Sequence, residues 1–108
     1  MKRRVLREFE QAVLLAIWRL GSGAYGVTIR RDLMERLGRQ VSIGATYTAL
    51  ERLETKGFVS SWMGGATRER GGRAKRFYRI EAPGLHALEE ARRATANLWG
   101  GLPAGAPA

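Results

Sequence analysis

A mainly α fold carrying one small β-hairpin is what this sequence predicts, and three observations predict it. Apolar residues recur at three- and four-residue steps from the N-terminal region as far as Gly57. The period then changes to two on either side of a stretch rich in glycine and arginine. After Pro83 the helical period returns. With 108 residues, 44% of them hydrophobic, the chain has enough apolar surface for one compact domain and is short for two.

Lys2, Arg3 and Arg4 form a short basic arm ahead of the first helix. Val5, Phe9, Ala12, Val13, Ala16, Ile17 and Leu20 then fall on one helical face. Leu14, Leu15 and Trp18 widen that face beyond what one core contact needs, so a second chain is a candidate to cover the remainder. Gly21-Ser22-Gly23 ends the helix. Tyr25-Gly26 opens a second helix, VTIRRDLMERLG, in which Ile29, Leu33 and Leu37 make an i, i+4, i+8 stripe while Arg30, Arg31 and Glu35 point outward. Gly38 stops it.

The third helix, within VSIGATYTALERLETKGF from Val41 to Phe58, carries the most information. A serine hydroxyl ahead of a periodic run accepts from an orphan N–H, which makes Ser42 the cap. Ile43, Thr46, Tyr47, Leu50, Leu53 and Glu54 share one face; Ala45, Thr48, Arg52 and Thr55 lie opposite, and Gly57 ends the run. Two helices joined by so short a link read as a helix-turn-helix.

Beyond Gly57, Val59, Ser61 and Met63 alternate with Phe58, Ser60 and Trp62 as a strand would. GGATRERGGR cannot build a core and reads as a loop. Ala74 to Ile80 returns as a second strand, with Tyr78 and Ile80 toward the core and Phe77 on the other face. A hairpin with a basic tip directly after a candidate recognition helix is a wing, so the fold class is a winged helix-turn-helix over residues 1–81. Pro83 suits the first turn of a last helix, residues 82–100, with Leu85, Leu88, Ala91, Thr95, Leu98 and Trp99 on its apolar side. Gly100-Gly101 ends it, and residues 101–108 have the composition of a disordered tail.

Composition narrows the function classes. The net charge of +9, from 19 Lys and Arg against 10 Asp and Glu, favours a polyanionic partner. No cysteine is present and His86 is the single histidine, so no thiolate or histidine-rich metal site is expected, and no cofactor. The longest apolar run, AVLLAIW, is far short of the roughly 20 residues that span a bilayer. MKRRVLREFEQ is interrupted by acidic residues and lacks a small-residue cleavage site, so a cytoplasmic protein with no membrane partner is the expectation. Without a Ser/His/Asp set or a phosphate-cradling loop, catalysis has no support.

A helix with small groups and one long cation at its front fits a DNA major groove, where residues near the N-terminus meet base edges. Ser42, Gly44, Ala45 and Thr48 lie there, Gly44 allowing close approach to a phosphate. Arg52 can bind a guanine edge or a phosphate, and Thr48 can meet a thymine methyl. Arg68, Arg70, Arg73, Lys75, Arg76 and Arg79 crowd the wing, where cations clamp phosphates or enter a minor groove. Trp18 and Trp99, on the first and last helices, could line an aromatic pocket where two chains meet.

From about Phe9 to Leu98 the chain resembles the PadR family of bacterial winged-helix transcriptional regulators in its short-C-terminus form. The resemblance rests on FEQAVLLAI, AYGVTIRRDL, VSIGATYTALERLETKGFV, RERGGRAKRFYRI and PGLHAL in that order and spacing. It implies a homodimer that places two recognition helices in successive major grooves of a palindromic operator, represses transcription and is released by a small molecule, for which the Trp18 and Trp99 pocket suits a small aromatic effector. By position it implies DNA contacts from Tyr25, Gly44, Thr46, Tyr47 and Thr48, with Arg73, Lys75 and Arg76 serving the wing. The last helix becomes the dimerisation helix, with Phe9, Val13, Trp18, Leu88, Thr95, Leu98 and Trp99 at the dimer interface or effector pocket. Two departures stand out: Ala82 where the family has a helix-capping threonine, and an early end at Gly100 that leaves the first helix to share the interface. Two other readings remain, a winged-helix module for an acidic protein partner and an RNA-binding module. The first would need apolar groups on the front of the recognition helix, the second stacking aromatics on the sheet.

Overall fold

Four helices and one hairpin follow one another in the order the periodicity predicts. The computed structural model describes residues 6–64 and 74–105. Helix α1 spans Glu8–Leu20 and a 3-10 turn Gly21–Gly23; α2 spans Gly26–Leu37, α3 Ile43–Thr55, and strands β1 and β2 Val59–Met63 and Arg76–Ile80; α4 spans Ala82–Trp99. The strands pair antiparallel, Val59 opposite Ile80 and Met63 opposite Arg76. Tyr25 adds a bridge to Phe77, and Tyr78 N–H donates to the Ala24 carbonyl at 2.9 Å, so the link before α2 acts as a third, minimal strand.

Val13, Leu14 and Ile17 of α1, Ile29 and Leu33 of α2, and Leu50 and Leu53 of α3 form the buried centre, closed by Val59 and Tyr78 of the sheet and Leu88 of α4. Burial of one such aliphatic side chain contributes roughly 1.5–3 kcal/mol, so the stripes that predict the helices also hold them together. Val13 and Leu88 therefore do not serve a dimer interface or effector pocket: each is enclosed by its own chain.

The ends of α3 fix its direction. Ala45 N–H donates to Ser42 Oγ at 3.0 Å, the expected cap. At the other end Gly57 has φ 78°, and two bonds close the turn: Phe58 N–H to the Leu53 carbonyl at 2.9 Å and Gly57 N–H to the Glu54 carbonyl at 3.0 Å. That is a Schellman motif, and its partner residues Phe58 and Leu53 are both buried. Arg30 Nε, on α2, donates to the Val41 carbonyl at 2.6 Å and pins the link between the two helices.

An ion pair joins α1 to the far end of α3. Lys56 Nζ donates to Glu10 Oε1 at 2.7 Å, and Arg7 N–H donates to the same oxygen at 2.9 Å. Burial pushes the Glu10 carboxyl up, but the Lys56 ammonium and the Arg7 N–H outweigh it and hold the group below the usual carboxylate range. Elsewhere Asp32 of α2 pairs with Arg19 of α1 and lies 4.0 Å from Arg36.

Several expectations change in detail. The second strand begins at Arg76 rather than Ala74. Leu37, Ile43 and Tyr47, placed on buried faces by spacing alone, are 41%, 44% and 46% exposed. Glu81, not Ala82, is the N-cap residue of α4, so an alanine at 82 costs no cap. Gly84, in the first turn of α4, sits so close to the Phe58 carbonyl that a Cβ there would collide with it.

Candidate nucleic-acid interface

The surface of α3 that its neighbours leave uncovered runs from its N-terminus along one side. Ser42, Ile43, Gly44, Ala45, Tyr47, Thr48, Glu51, Arg52 and Thr55 are exposed on it, whereas Thr46, Ala49, Leu50 and Leu53 are buried. A Cβ on Gly44 would touch nothing, so this glycine answers no packing need within the chain. Tyr47 lays its hydroxyl against Gly26 at the start of α2, which anchors the ring while leaving one side of it in solvent. Arg52 lies beside Thr48, Glu51, Thr55 and Lys56 around a shallow depression.

Thr46 requires a correction. It is fully buried, and its hydroxyl donates to the Ser42 carbonyl at 3.0 Å. It supports the first turn of α3 and cannot reach DNA. Ser42 is exposed, but its Oγ is already engaged as the cap acceptor. Glu51 shares this exposed surface, three residues after Thr48 and four before Thr55, where spacing alone does not single it out. A carboxylate there can accept from a cytosine amino group.

The wing meets α3 through a short hydrogen-bonded chain. Arg76 Nη1 donates to Ser61 Oγ at 2.9 Å, and Ser61 Oγ donates to Glu54 Oε2 at 2.6 Å. The hairpin is thereby held against the C-terminal half of the helix. Because side chains alternate along a strand, Trp62 and Phe77 occupy the opposite face. There Phe77 stacks on Trp62 with ring centroids 5.9 Å apart and meets the Tyr25 ring edge-on at 5.3 Å. Lys75 Nζ lies 4.6 Å from the Tyr25 ring centre, and the Arg79 guanidinium lies 5.9 Å from that of Trp62. Tyr25 is therefore half-buried in an aromatic row behind the wing rather than on the front of α3. Lys75 and Arg76 are both exposed; Arg68, Arg70 and Arg73 lie outside the described residues.

The base of the wing is tied to α4. The Ser60 hydroxyl donates to Glu81 Oε2, and Arg79 Nε donates to the same oxygen at 3.4 Å. The Ser60 bond first, and Arg79 after it, hold the Glu81 carboxyl below its usual range. Beyond Ala91 every residue of α4 is exposed, including Thr95, Leu98 at 84% and Trp99 at 47%. Phe9 is half-buried against the core. Trp18 is 58% exposed and within its own chain lines a cavity with Trp62. Among the described residues no cluster of His, Asp or Glu could hold a metal ion, and no helix is long and apolar enough to cross a membrane.

The family model described as the transcriptional regulator PadR-like family matches residues 14–90. No curated protein matches the chain significantly. Among solved structures, RosR of H. salinarum is similar with a TM-score of 0.70 and 22% identity, over 94% of this chain and 84% of that one. A PadR family transcription regulator from Clostridium difficile has a TM-score of 0.64 and 22% identity, over 85% of this chain and 95% of its own. A PadR family transcriptional regulator from Eggerthella lenta has a TM-score of 0.66 and 22% identity, over 88% and 82%. At such identities these likenesses speak for the fold: a mainly helical winged helix with a two-stranded hairpin.

Proposed function

The chain belongs to the PadR-like family of transcriptional regulators, and from that premise we propose that it is a DNA-binding regulator that represses from a palindromic operator as a homodimer. One observation carries the DNA-binding side. The N-terminal half of α3 offers exposed Gly44, Ala45 and Thr48 followed by Arg52, with its axis fixed at both ends by the Ser42 cap and the Gly57 turn. A rigid helix with short side chains at its tip and one cation behind them suits a major groove. Short groups read few bases, so much of the affinity falls to phosphates, with Arg76 on the hairpin face toward the helix and Lys75 on the opposite face of the wing as clamps. Arg73 belongs with them in this reading.

The dimer reading draws on α4. Its last two turns, Arg92 to Trp99, lie clear of the rest of the chain and expose Leu98 and Trp99. A helical end without packing is marginal in water, which favours a second copy as its support. Repression and release by a small molecule follow the same premise. A protein-interaction module remains the second reading, because Ile43 and Tyr47 do present apolar surface at the α3 front.

Selection of bound duplexes from a random DNA pool tests the proposal. The expected result is an enriched motif with two-fold symmetry and half-sites about one helical turn, or a multiple of it, apart. Recovery of a pool no different from the input would contradict it.

A further inference from the structure

The exposed side of α3 carries an acid at its centre. At about 100° of turn per residue, the buried Thr46, Ala49, Leu50 and Leu53 define one direction, and the line pointing away from them runs past Gly44, Thr48, Glu51 and Thr55. Glu51 lies roughly 30° from that line, whereas Arg52 lies roughly 70° from it. The carboxylate is therefore the more central of the two charges, and both border the same depression with Thr48 and Thr55. Other acids of the chain are occupied: Glu54 accepts from the Ser61 hydroxyl at 2.6 Å, and Glu10 and Asp32 are held in ion pairs. Glu51 makes no hydrogen bond or ion pair among the described residues. In a chain of net charge +9, an acid at this place repels the phosphates of every duplex, so it opposes the affinity that the arginines and lysines supply.

We propose that Glu51 is a specificity-determining residue, whose carboxylate accepts a hydrogen bond from the amino group of a cytosine in the major groove beside the third turn of α3. The assignment rests on the DNA-binding reading above. Base-edge chemistry singles out cytosine. Only cytosine and adenine turn an amino donor to that groove, and adenine sets its N7 acceptor beside it. Guanine shows two acceptors, and thymine an acceptor and a methyl group. An ionised carboxylate can only accept, so cytosine satisfies it and the other three edges oppose it in part or in full. On a mismatched duplex the hydrogen bond is lost while the repulsion from phosphates stays. Selectivity at this position thus comes as much from rejection as from attraction. Arg52, one residue on, has the opposite chemistry and takes the acceptors of guanine, so the two neighbours divide the donor and acceptor edges between them.

The test selects bound duplexes from a random pool with the full chain and with its Glu51→Ala and Glu51→Gln variants. The Glu51 side chain bonds to nothing within the chain, so both variants should keep the wild-type melting temperature. The wild-type motif should hold a cytosine that Glu51→Ala leaves open to any base, with the other positions unchanged. Glu51→Gln should prefer adenine there, because an amide pairs with N6 and N7 together. Thymine in place of that cytosine should weaken wild type at least about fivefold and Glu51→Ala less than about twofold. N4-methylcytosine still pairs with guanine but turns a methyl group to the groove in place of the amino hydrogen, and it should weaken wild type alone. A motif that is the same for wild type and Glu51→Ala overturns the assignment and leaves the DNA-binding reading standing. So does a uniform gain of Glu51→Ala on all duplexes, which would set the carboxylate against phosphates only. A wild-type pool no different from the input overturns the DNA-binding reading itself, and this assignment with it.

Discussion

Glu10 shows how much one side chain can hold. Its carboxylate takes the Lys56 ammonium and the Arg7 N–H on one oxygen, while the other is buried without a partner among the described residues. Its folded pKa is lowered, so its stabilisation is complete above the ordinary carboxylate range and is lost as pH falls through the folded value. Lys56 keeps 21% of its side chain in solvent, so the pair is only partly shielded from water. Glu10→Gln should cost about 1–3 kcal/mol at pH 7 and flatten the loss of stability that sets in as pH falls below the ordinary carboxylate range. Urea melts of both proteins across that range check it; parallel curves would show that the pair does not contribute. Nothing in the sequence announces this contact, because its partners are 46 residues apart and either charge could have been solvated. Thr46 teaches the same lesson in reverse. A polar residue near a helix start looks like a DNA contact until its hydroxyl is found bonded to the preceding turn.

At the level of elements, α3 was legible almost completely. A serine at its start, leucines at three- and four-residue steps and a glycine just past its end are local signals, and the backbone follows them. The aromatic row of Tyr25, Phe77 and Trp62 was not legible, because it depends on strand register and on a third strand of one residue. Neither leaves a periodic trace. The open space around Gly44 gives a prediction that separates fold from function. Gly44→Ala should leave stability unchanged or raise it by up to about 1 kcal/mol, since alanine is the better helix former. It should still weaken DNA binding, because the added methyl stands where the helix tip approaches the duplex. A variant that melts at or above the wild-type temperature and binds DNA as well as wild type would remove Gly44 from the interface.

For the whole molecule the shape is the telling quantity. A compact chain of this length has a radius of gyration near 13 Å, whereas this one has 16.0 Å and extends 55 × 40 × 21 Å. The end of α4 contributes to that excess, and the sequence hinted at it through Leu98 and Trp99 without saying that α4 leaves the body after Ala91. If a second copy covers that end, wild-type protein sediments at twice 12.0 kDa and Leu98→Glu at the monomer mass. Leu98 touches little in its own chain, so the folded protomer should persist; a dimeric variant would move the interface elsewhere. The central claim, that α3 reads the sequence and the wing holds the backbone, is tested most directly by salt dependence. Affinities for a selected duplex and a random one are measured across salt for wild type, Arg52→Ala and Lys75→Ala. The account predicts that Arg52→Ala loses about 1–3 kcal/mol on the selected duplex alone. Lys75→Ala should weaken both duplexes alike and reduce the salt slope by about one. If the two variants weaken both duplexes equally, the division between reader and clamp is wrong.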